Sequence, residues 1–128
     1  MREVLFLAVA GALGSLSRYG LCGMAQRITS TGFPFGTLLV NILGSALLGF
    51  VMQASLSTDI IPRSFRVAVT IGFLGAFTTF STFSYETAAY IKEGAWMACA
   101  ANIAANVGLS LLAVLLGMFL GRMAFGNA

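Results

Sequence analysis

The sequence predicts an all-α membrane protein with four transmembrane helices. The chain has 128 residues, of which 59% are apolar and only 9% are charged, whereas about 25% charged residues is usual for a soluble domain. Three stretches without any charged residue cover residues 28–58, 67–85 and 94–121. A fourth apolar stretch, near the N-terminus, is interrupted by Arg18. Because a helix needs about 20 mostly apolar residues to cross a bilayer, each stretch predicts one span.

The charged residues and prolines indicate where the predicted helices begin and end. We expect helices at about residues 3–26, 34–56, 66–91 and 95–122, with ends uncertain by about two to four residues. Pro34 stands where the second helix opens, and Pro62 lies in the connection before the third. Proline fits such boundaries because it has no backbone N–H to donate. Residues 1–128 are therefore expected to form a single four-helix transmembrane domain.

The basic residues give only a weak bias in orientation. Positive residues near helix ends normally decide which way a membrane protein inserts. One end of the predicted bundle would carry Arg2, Arg63, Arg66 and Arg122, and the other would carry Arg27, Lys92 and, if it reaches the headgroups, Arg18. A single orientation and a dual orientation both stay open, and the second would permit an antiparallel homodimer.

The composition argues against an enzyme and against a side-chain metal centre. The chain contains no histidine, and Cys22 and Cys99 are far apart in the sequence. This pattern gives no case for zinc, iron–sulfur or haem. It also offers no nucleophile with a suitably spaced base and no cofactor loop.

Three asparagines stand inside the predicted helices. Asn41 lies in the second helix, while Asn102, Asn106 and Ser110 follow one another on one face of the fourth. Such side chains often link membrane helices, with about 1 kcal/mol from each hydrogen bond. They also present N–H and O–H donors, which suit an anion. The residues alone leave both interpretations open.

Two charged residues lie within or near the predicted spans. Arg18 either extends to the headgroups or faces an aqueous entrance. Glu86 either lies in a water-filled vestibule or pairs with Arg18. An ionisable residue inside a membrane is a functional candidate, so both belong among the candidate site residues.

The segment GFLGAFTTFSTFS, residues 72–84, is poorly suited to an unbroken helix. Gly72 and Gly75 weaken helical structure, and Thr78 and Thr79 are adjacent β-branched residues. A break would free backbone groups, which a membrane tolerates only where protein or a cavity satisfies them. Because broken helices at membrane depth typically build ion sites, we predict a break near the middle of helix 3.

Phenylalanine recurs every third residue in this segment, at Phe77, Phe80 and Phe83, with hydroxyl side chains between. Aromatic rings at helical spacing are usually packing residues. However, the edge of a phenyl ring carries positive partial charge, so an anion can lie against it. The adjacent hydroxyl groups strengthen the interpretation as an anion path.

At these residues the sequence resembles the bacterial fluoride channels of the Fluc (CrcB) family. The resemblance rests on GFLGAFTTFSTFS followed by Glu86, on GTLLVNILGS at residues 36–45 and on GSLSRYG at residues 14–20. It covers essentially the full length, and the helix 3 motif is the most specific part. It implies passive fluoride export across the bacterial inner membrane, fluoride resistance, and an antiparallel, dual-topology homodimer with two pores along the subunit interface.

The resemblance also implies roles for individual residues. The fluoride pore would be lined by Asn41, Phe80, Phe83, Ser81, Thr82, Asn106 and Ser110. Arg18 and Glu86 would line the entrance or vestibule. The backbone carbonyls of Gly75 and Thr78 would hold a structural Na⁺ at the dimer interface. No organic cofactor and no nucleic-acid partner is expected.

Two other functions remain open from the sequence. A proton-coupled exporter of small cationic drugs can also be a short, four-span, dual-topology dimer. That mechanism needs a titratable carboxylate deep in helix 1, where this chain has only Glu3 at the edge, so Glu86 would have to serve. A non-transporting assembly subunit is the third hypothesis, which conduction by the reconstituted protein would exclude.

Overall fold

A computed structural model describes residues 2–57 and 61–126, which form helices joined by short connections. Four helices are long and apolar enough to cross a membrane: Arg2–Thr29, Phe35–Ser57, Arg63–Lys92 and Trp96–Phe125. The prediction of an all-helical chain with four such segments is confirmed. No predicted boundary differs from the observed one by more than three residues, because the lengths of the apolar stretches fix the helices closely.

The first span, α1 (Arg2–Thr29), covers one side of the bundle. Gly14 is its one buried residue, and a side chain there would overlap the backbone of Phe73 in the third span. Most other α1 side chains, including Leu5 and Leu16, are exposed in the isolated protomer. The backbone of α1 therefore approaches the third span closely, while its apolar side chains are left for lipid or another subunit.

The second span, α2 (Phe35–Ser57), packs against the last helix of the chain. Glycines allow this approach: a side chain at Gly49 would overlap the Val114 carbonyl, and one at Gly117 would overlap the Ala46 carbonyl. Small residues at a membrane helix interface permit such close backbone packing. The second span and the last helix are therefore a closely packed pair.

The third span is not a uniform α-helix. Its segments are α3 (Arg63–Val67), a π-helical stretch (Ala68–Leu74), α4 (Gly75–Phe77) and α5 (Phe80–Lys92). Between α4 and α5, Thr78 has φ −84° and ψ 160°, and Thr79 has φ −151° and ψ 116°. These two residues are extended, which suits their β-branched side chains. The Thr79 hydroxyl then caps α5 by accepting from the Thr82 N–H at 3.2 Å.

The fourth span also changes its winding. It consists of α6 (Trp96–Ala104), a π-helical stretch (Ala105–Leu109) and α7 (Ser110–Phe125). Asn106 lies within the π-helical stretch and Asn102 in the helix before it, and both side chains are buried. Since π-helical turns often occur at functional sites, the residues near the π-helical stretches of the third and fourth spans are candidates for a functional site.

A tight turn joins the third and fourth spans. Gly94 has φ 70°, a conformation that glycine adopts without steric penalty. The Gly94 N–H donates to the Ile91 carbonyl at 3.1 Å, and the Ala95 N–H donates to the Tyr90 carbonyl at 2.9 Å. This is the hydrogen-bond pattern of a Schellman cap, which ends α5 and lets the fourth span return beside it.

Candidate functional site

The predicted site residues line two neighbouring cavities. The inner cavity has a volume of about 440 Å³, and its lining includes Asn41, Thr79, Phe80, Phe83, Asn106 and Ser110. The outer cavity has a volume of about 1120 Å³, and its lining includes Arg18, Cys22, Thr37, Thr79, Thr82 and Glu86. Cys22, Thr37 and Thr79 were not among the residues predicted for the site. The others were predicted as one pore with an entrance, and the structure distributes them over two spaces.

Most of the residues expected in the pore lie in the inner cavity, together with Gly75 and Thr78. Thr82 instead lines the outer cavity with Arg18 and Glu86. Ser81 lines neither of these two cavities, although its Oγ lies 3.3 Å from the Thr79 Oγ1. The hydroxyl groups of Ser81 and Thr82 therefore lie outside the lining that Asn106 and Ser110 share.

Asn41 holds the peptide groups at the interruption of the third span. Its Oδ1 accepts from the Thr79 N–H at 2.8 Å, and its Nδ2 donates to the Thr79 carbonyl at 3.1 Å. The same Nδ2 donates to the Asn106 Oδ1 at 3.0 Å. Both N–H groups of the amide thus have acceptors within the protomer, so Asn41 is a backbone clamp in this conformation.

The clamp leaves two backbone carbonyls without their helical donors. In a continuous helix, the Thr79 N–H would donate to the Gly75 carbonyl and the Thr82 N–H to the Thr78 carbonyl. Here the Thr79 N–H donates to Asn41, and the Thr82 N–H donates to the Thr79 hydroxyl. Gly75 and Thr78 both line the inner cavity, so their oxygens are available to another donor or to a cation.

A cation near this position would depend on such backbone oxygens. Within residues 2–57 and 61–126, no group of three or more His, Cys, Asp or Glu side chains could hold a metal ion. Unwound backbone carbonyls are the groups that coordinate Na⁺ in broken membrane helices. The two carbonyls therefore have suitable chemistry for Na⁺.

A chain of hydrogen bonds extends from Asn41 into the fourth span and back to α5. The Asn106 Nδ2 donates to the Asn102 Oδ1 at 2.9 Å, and the Asn102 Nδ2 donates to the Thr87 Oγ1 at 3.0 Å. The Thr87 hydroxyl then donates to the Phe83 carbonyl at 2.8 Å. Because each donor points to the next acceptor, the chain fixes how every amide is oriented.

Ser110 differs from these asparagines. Its Oγ is buried and, in the part of the chain that the structure describes, has no hydrogen-bond partner. A buried hydroxyl without a partner is costly, and this one lies in the wall of the inner cavity. It is therefore an unused hydrogen-bonding group among the described residues, enclosed by neighbouring protein atoms in this conformation.

Two phenyl rings form another part of the inner cavity wall. The rings of Phe80 and Phe83 have centroids 5.5 Å apart and are tilted by 59°. Phe83 is buried, with 7% of its surface exposed, whereas Phe80 is 77% exposed. Phe77 instead stacks on Phe73, with a centroid distance of 5.8 Å. Of the three regularly spaced rings, two line the cavity and one packs between helical segments.

The outer cavity contains the charged candidates. The Glu86 Oε1 accepts from the Thr37 hydroxyl at 2.6 Å, while its Oε2 is buried without a partner among the described residues. Arg18 and Arg27 line the same cavity. Glu86 and Arg18 thus line the same cavity, and both sequence interpretations of Glu86 stay predictions.

Sequence reasoning gave no individual site role to Thr37, Thr79 or Thr87, which the structure brings into contact with candidate residues. Thr37 donates to Glu86, the Thr79 backbone is bound by Asn41, and Thr87 accepts from Asn102, which the sequence analysis names as a possible anion donor. One signal was available, since Thr37 precedes Asn41 by one helical turn and therefore shares its face. The contacts of Thr79 and Thr87 depend on how the helices pack, and no local pattern indicates them.

Comparison with known proteins identifies the family of this chain. The family described as CrcB-like protein, Camphor Resistance (CrcB), matches residues 5–118. A protein of Dehalococcoides mccartyi named fluoride-specific ion channel FluC is 48% identical over 128 residues, covering 100% of this chain and 98% of that protein. Proteins of the same name from Geobacter metallireducens and Syntrophotalea carbinolica are each 44% identical, over 95% and 94% of this chain and 98% of each relative. The resemblance seen in the sequence motifs is confirmed, and the chain belongs to the CrcB family.

Proposed function

We propose that this chain is a fluoride-selective channel that exports fluoride passively across the bacterial inner membrane and so gives fluoride resistance. The relatives named fluoride-specific ion channel support the substrate. The observation that carries the proposal is the inner cavity, where two phenyl rings, two amides and a hydroxyl that has no partner among the described residues meet with no charged side chain in the lining. In this proposal each copy is a single four-helix transmembrane domain that has no enzymatic activity.

The inner cavity would replace part of the water around a small anion. The Ser110 hydroxyl would donate to fluoride once its side chain turns the buried oxygen toward the cavity, because no protein acceptor competes for it among the described residues. The rims of Phe80 and Phe83 would add the positive edges of their rings. These neutral contacts are individually weak, which conduction requires because the ion must also leave.

Asn41 and Asn106 would line the path by donating to fluoride in place of their present protein acceptors. Their N–H groups donate to protein oxygens in this conformation, so fluoride would have to displace an existing hydrogen bond. A neutral hydrogen bond contributes about 0.5–1.5 kcal/mol net, which makes the exchange small beside the dehydration of a charged ion. Ser81 and Thr82 would extend the set of donors toward the outer cavity.

The outer cavity would serve as the entrance. Arg18 would attract the anion, because a cationic group in a cleft raises the local concentration of anions. Glu86 would limit that attraction while its oxygen is held by Thr37. The larger volume of this cavity suits an ion that has kept its water.

A second, antiparallel copy would complete each pore. Phe80 lines the inner cavity yet is 77% exposed in one protomer, so another surface must cover its outer face. The weak charge bias between the helix ends agrees with copies inserted in opposite orientations. Two such copies would form two pores along their interface.

The carbonyls of Gly75 and Thr78 would hold a structural Na⁺ where the two copies meet. Both have lost their helical N–H donors to Asn41 and to the Thr79 hydroxyl. A bound Na⁺ would neutralise the partial negative charge of these converging oxygens. The protein's contribution is the Asn41 clamp, which removes the helical donor of the Gly75 carbonyl, together with the Thr79 hydroxyl, which removes that of the Thr78 carbonyl.

Transport would need no coupled ion. An inside-negative membrane potential favours the exit of an anion by about 2.3 kcal/mol per 100 mV. The test is efflux from proteoliposomes containing the purified protein, followed with a fluoride electrode, with chloride as the control ion and Na⁺ varied. We expect rapid fluoride efflux, no chloride efflux and dependence on Na⁺. Absence of fluoride efflux from correctly inserted dimers would contradict the proposal.

Phe80→Ile should abolish fluoride efflux while dimers still form. Isoleucine keeps an apolar side chain but removes the ring edge, and the exposed position of Phe80 limits the loss of protomer packing. Phe6→Ile is the matched control, because Phe6 is exposed on α1 and lies outside both cavities. If Phe80→Ile conducts like the wild type, the ring is not part of the pore.

A further inference from the structure

Thr79 occupies a unique position between the two cavities. Among the described residues, it alone lines both the inner and the outer cavity. Its own surface is only 6% exposed, so it forms the wall that the two spaces share. An ion that moves from Arg18 and Glu86 to Phe80 and Phe83 would pass this residue.

The backbone of Thr79 is held still by Asn41. The clamp engages both the N–H and the carbonyl of Thr79, at 2.8 Å and 3.1 Å. A residue fixed at both backbone groups has little freedom to swing aside. The hydroxyl proton is its most mobile part, since it turns about a single C–O bond.

The hydroxyl of Thr79 is the centre of a small hydrogen-bond cluster. Its Oγ1 accepts from the Thr82 N–H at 3.2 Å, and it lies 2.9 Å from the Thr82 Oγ1 and 3.3 Å from the Ser81 Oγ. A hydroxyl has two lone pairs and one proton. One lone pair is used by the Thr82 N–H, so Thr79 accepts from one of the two neighbouring hydroxyls and donates to the other.

Among the three hydroxyl groups of Thr79, Ser81 and Thr82, one proton therefore makes no hydrogen bond within the cluster. When Thr79 donates to Thr82, the Thr82 proton is free and can point into the outer cavity, which Thr82 lines. When Thr79 donates to Ser81, the Ser81 proton is free instead, on an exposed residue next to Phe80. Both states use the same positions of the carbon, nitrogen and oxygen atoms.

We propose that Thr79 is the crossing point between the cavities and that rotation of its hydroxyl transfers one free O–H donor between Thr82 and Ser81. The inference rests on the proposed fluoride function and deepens it. A fluoride ion leaving the outer cavity is released by Thr82 as Ser81 becomes available beside Phe80. The free donor thereby leaves the outer cavity for Ser81, which lies beside Phe80 and outside both cavity linings, without any motion of the helices.

Thr79→Val is the most direct variant. Valine keeps the shape and the β-branch, and the Asn41 clamp uses only the backbone. Without the Thr79 hydroxyl, the free O–H donor is no longer transferred between Ser81 and Thr82. Each of these two hydroxyl groups then holds an ion independently of the other. We expect the flux per working channel to fall at least about tenfold, because conduction requires sites that release the ion.

Two further variants serve as comparisons. Thr79→Ser restores the hydroxyl and should conduct within about threefold of the wild type. Thr29→Val makes the same chemical change at a threonine whose hydroxyl donates only to the Ala25 carbonyl of its own helix, at 2.9 Å. This control should leave the flux unchanged.

The readout must separate conduction from folding, since the Thr79 hydroxyl also caps α5. Liposomes prepared at high dilution contain one channel or none, so the fraction of active vesicles counts folded channels and the efflux rate measures each channel. Loss of the donor transfer lowers the rate in active vesicles. Loss of the cap alone lowers the active fraction and leaves that rate unchanged, which would overturn the proposal.

A second test keeps the cap intact. Ser81→Ala and Thr82→Val each remove one end of the transfer, so each should lower the rate about as much as Thr79→Val does. The double variant removes both partners while the Thr79 oxygen still accepts from the backbone N–H of residue 82. Its rate should match that of either single variant, because the transfer is already lost in each.

The outcomes distinguish this inference from the proposed function. If the wild type carries no fluoride, the proposed function fails. If the wild type conducts and either Thr79→Val matches its unitary rate or the double variant equals the product of the single variants, only the role of Thr79 fails.

Discussion

The outer and inner cavities lie side by side but are built from different chemistry. The outer cavity, about 1120 Å³, includes Arg18, Arg27 and Glu86 in its wall. The inner cavity, about 440 Å³, has no charged residue in its lining, which combines aliphatic side chains and phenyl rings with a few amides and hydroxyls. In the outer cavity, charged side chains can act on an ion over a distance. In the smaller inner cavity, neutral groups must contact the ion directly and in the right geometry.

The two cavities also differ in how their polar groups are satisfied. In the inner cavity, Asn41 and Asn106 belong to a continuous hydrogen-bond chain, which gives rigidity. In the outer cavity, Glu86 has one hydrogen bond, from Thr37, and each cavity has one buried polar atom without a partner among the described residues, the Glu86 Oε2 and the Ser110 Oγ. Substitutions in the inner cavity should therefore affect conduction strongly, and those in the outer cavity should adjust it.

The largest effect is expected for Asn41→Asp in the inner cavity. A carboxylate cannot donate to the Thr79 carbonyl or the Asn106 Oδ1, and it would place a negative charge against both oxygens. It would also repel fluoride. We expect fluoride efflux to fall at least about a hundredfold, measured with the electrode in proteoliposomes.

Gln53→Glu is the matched control for Asn41→Asp. It converts an amide to a carboxylate on the same helix, α2, at a residue outside both cavities. We expect this variant to conduct like the wild type. Equal losses in the two variants would mean that a charge on α2 is harmful wherever it lies, and the contrast between the cavities would not hold.

Glu86→Gln should have a moderate effect. Glutamine can still accept from Thr37 through its amide oxygen, and removal of the negative charge lowers the repulsion of anions in the outer cavity. We expect fluoride efflux to increase, by less than about tenfold. Glu93→Gln, in the exposed turn after α5, is the control. Complete loss of transport would instead favour a proton-coupled exporter, for which the carboxylate is indispensable.

Arg18→Gln should have the smallest effect. Its charge attracts anions over a distance, so we expect efflux to fall about twofold to fivefold at low ionic strength. Because the screening length shortens from about 30 Å at 0.01 M salt to about 3 Å at 1 M, the difference should disappear in concentrated salt. Arg122→Gln, near the end of α7, is the control. A loss that is independent of salt would place Arg18 in direct contact with the ion.

The sequence by itself determined the number and the limits of the spans. Apolar stretches long enough to cross a bilayer lie between the charged residues, and solvation by lipid requires each to be helical. Local composition also indicated where the third span departs from regular winding, since Thr78 and Thr79 follow two glycines. The motifs around Phe80 and Asn41 were sufficient to indicate the family, which the comparisons confirm.

Only the tertiary structure decided how the predicted residues are divided and what holds them. The clamp joins residues 38 positions apart, and the contact between Thr37 and Glu86 joins residues 49 apart. The link between Asn41 and Asn106 spans 65 positions. Periodicity shows which residues share a helix face, but it does not show which faces of different helices meet. Thr79, which the sequence presented as one hydroxyl among several, therefore became the wall between two cavities through packing alone.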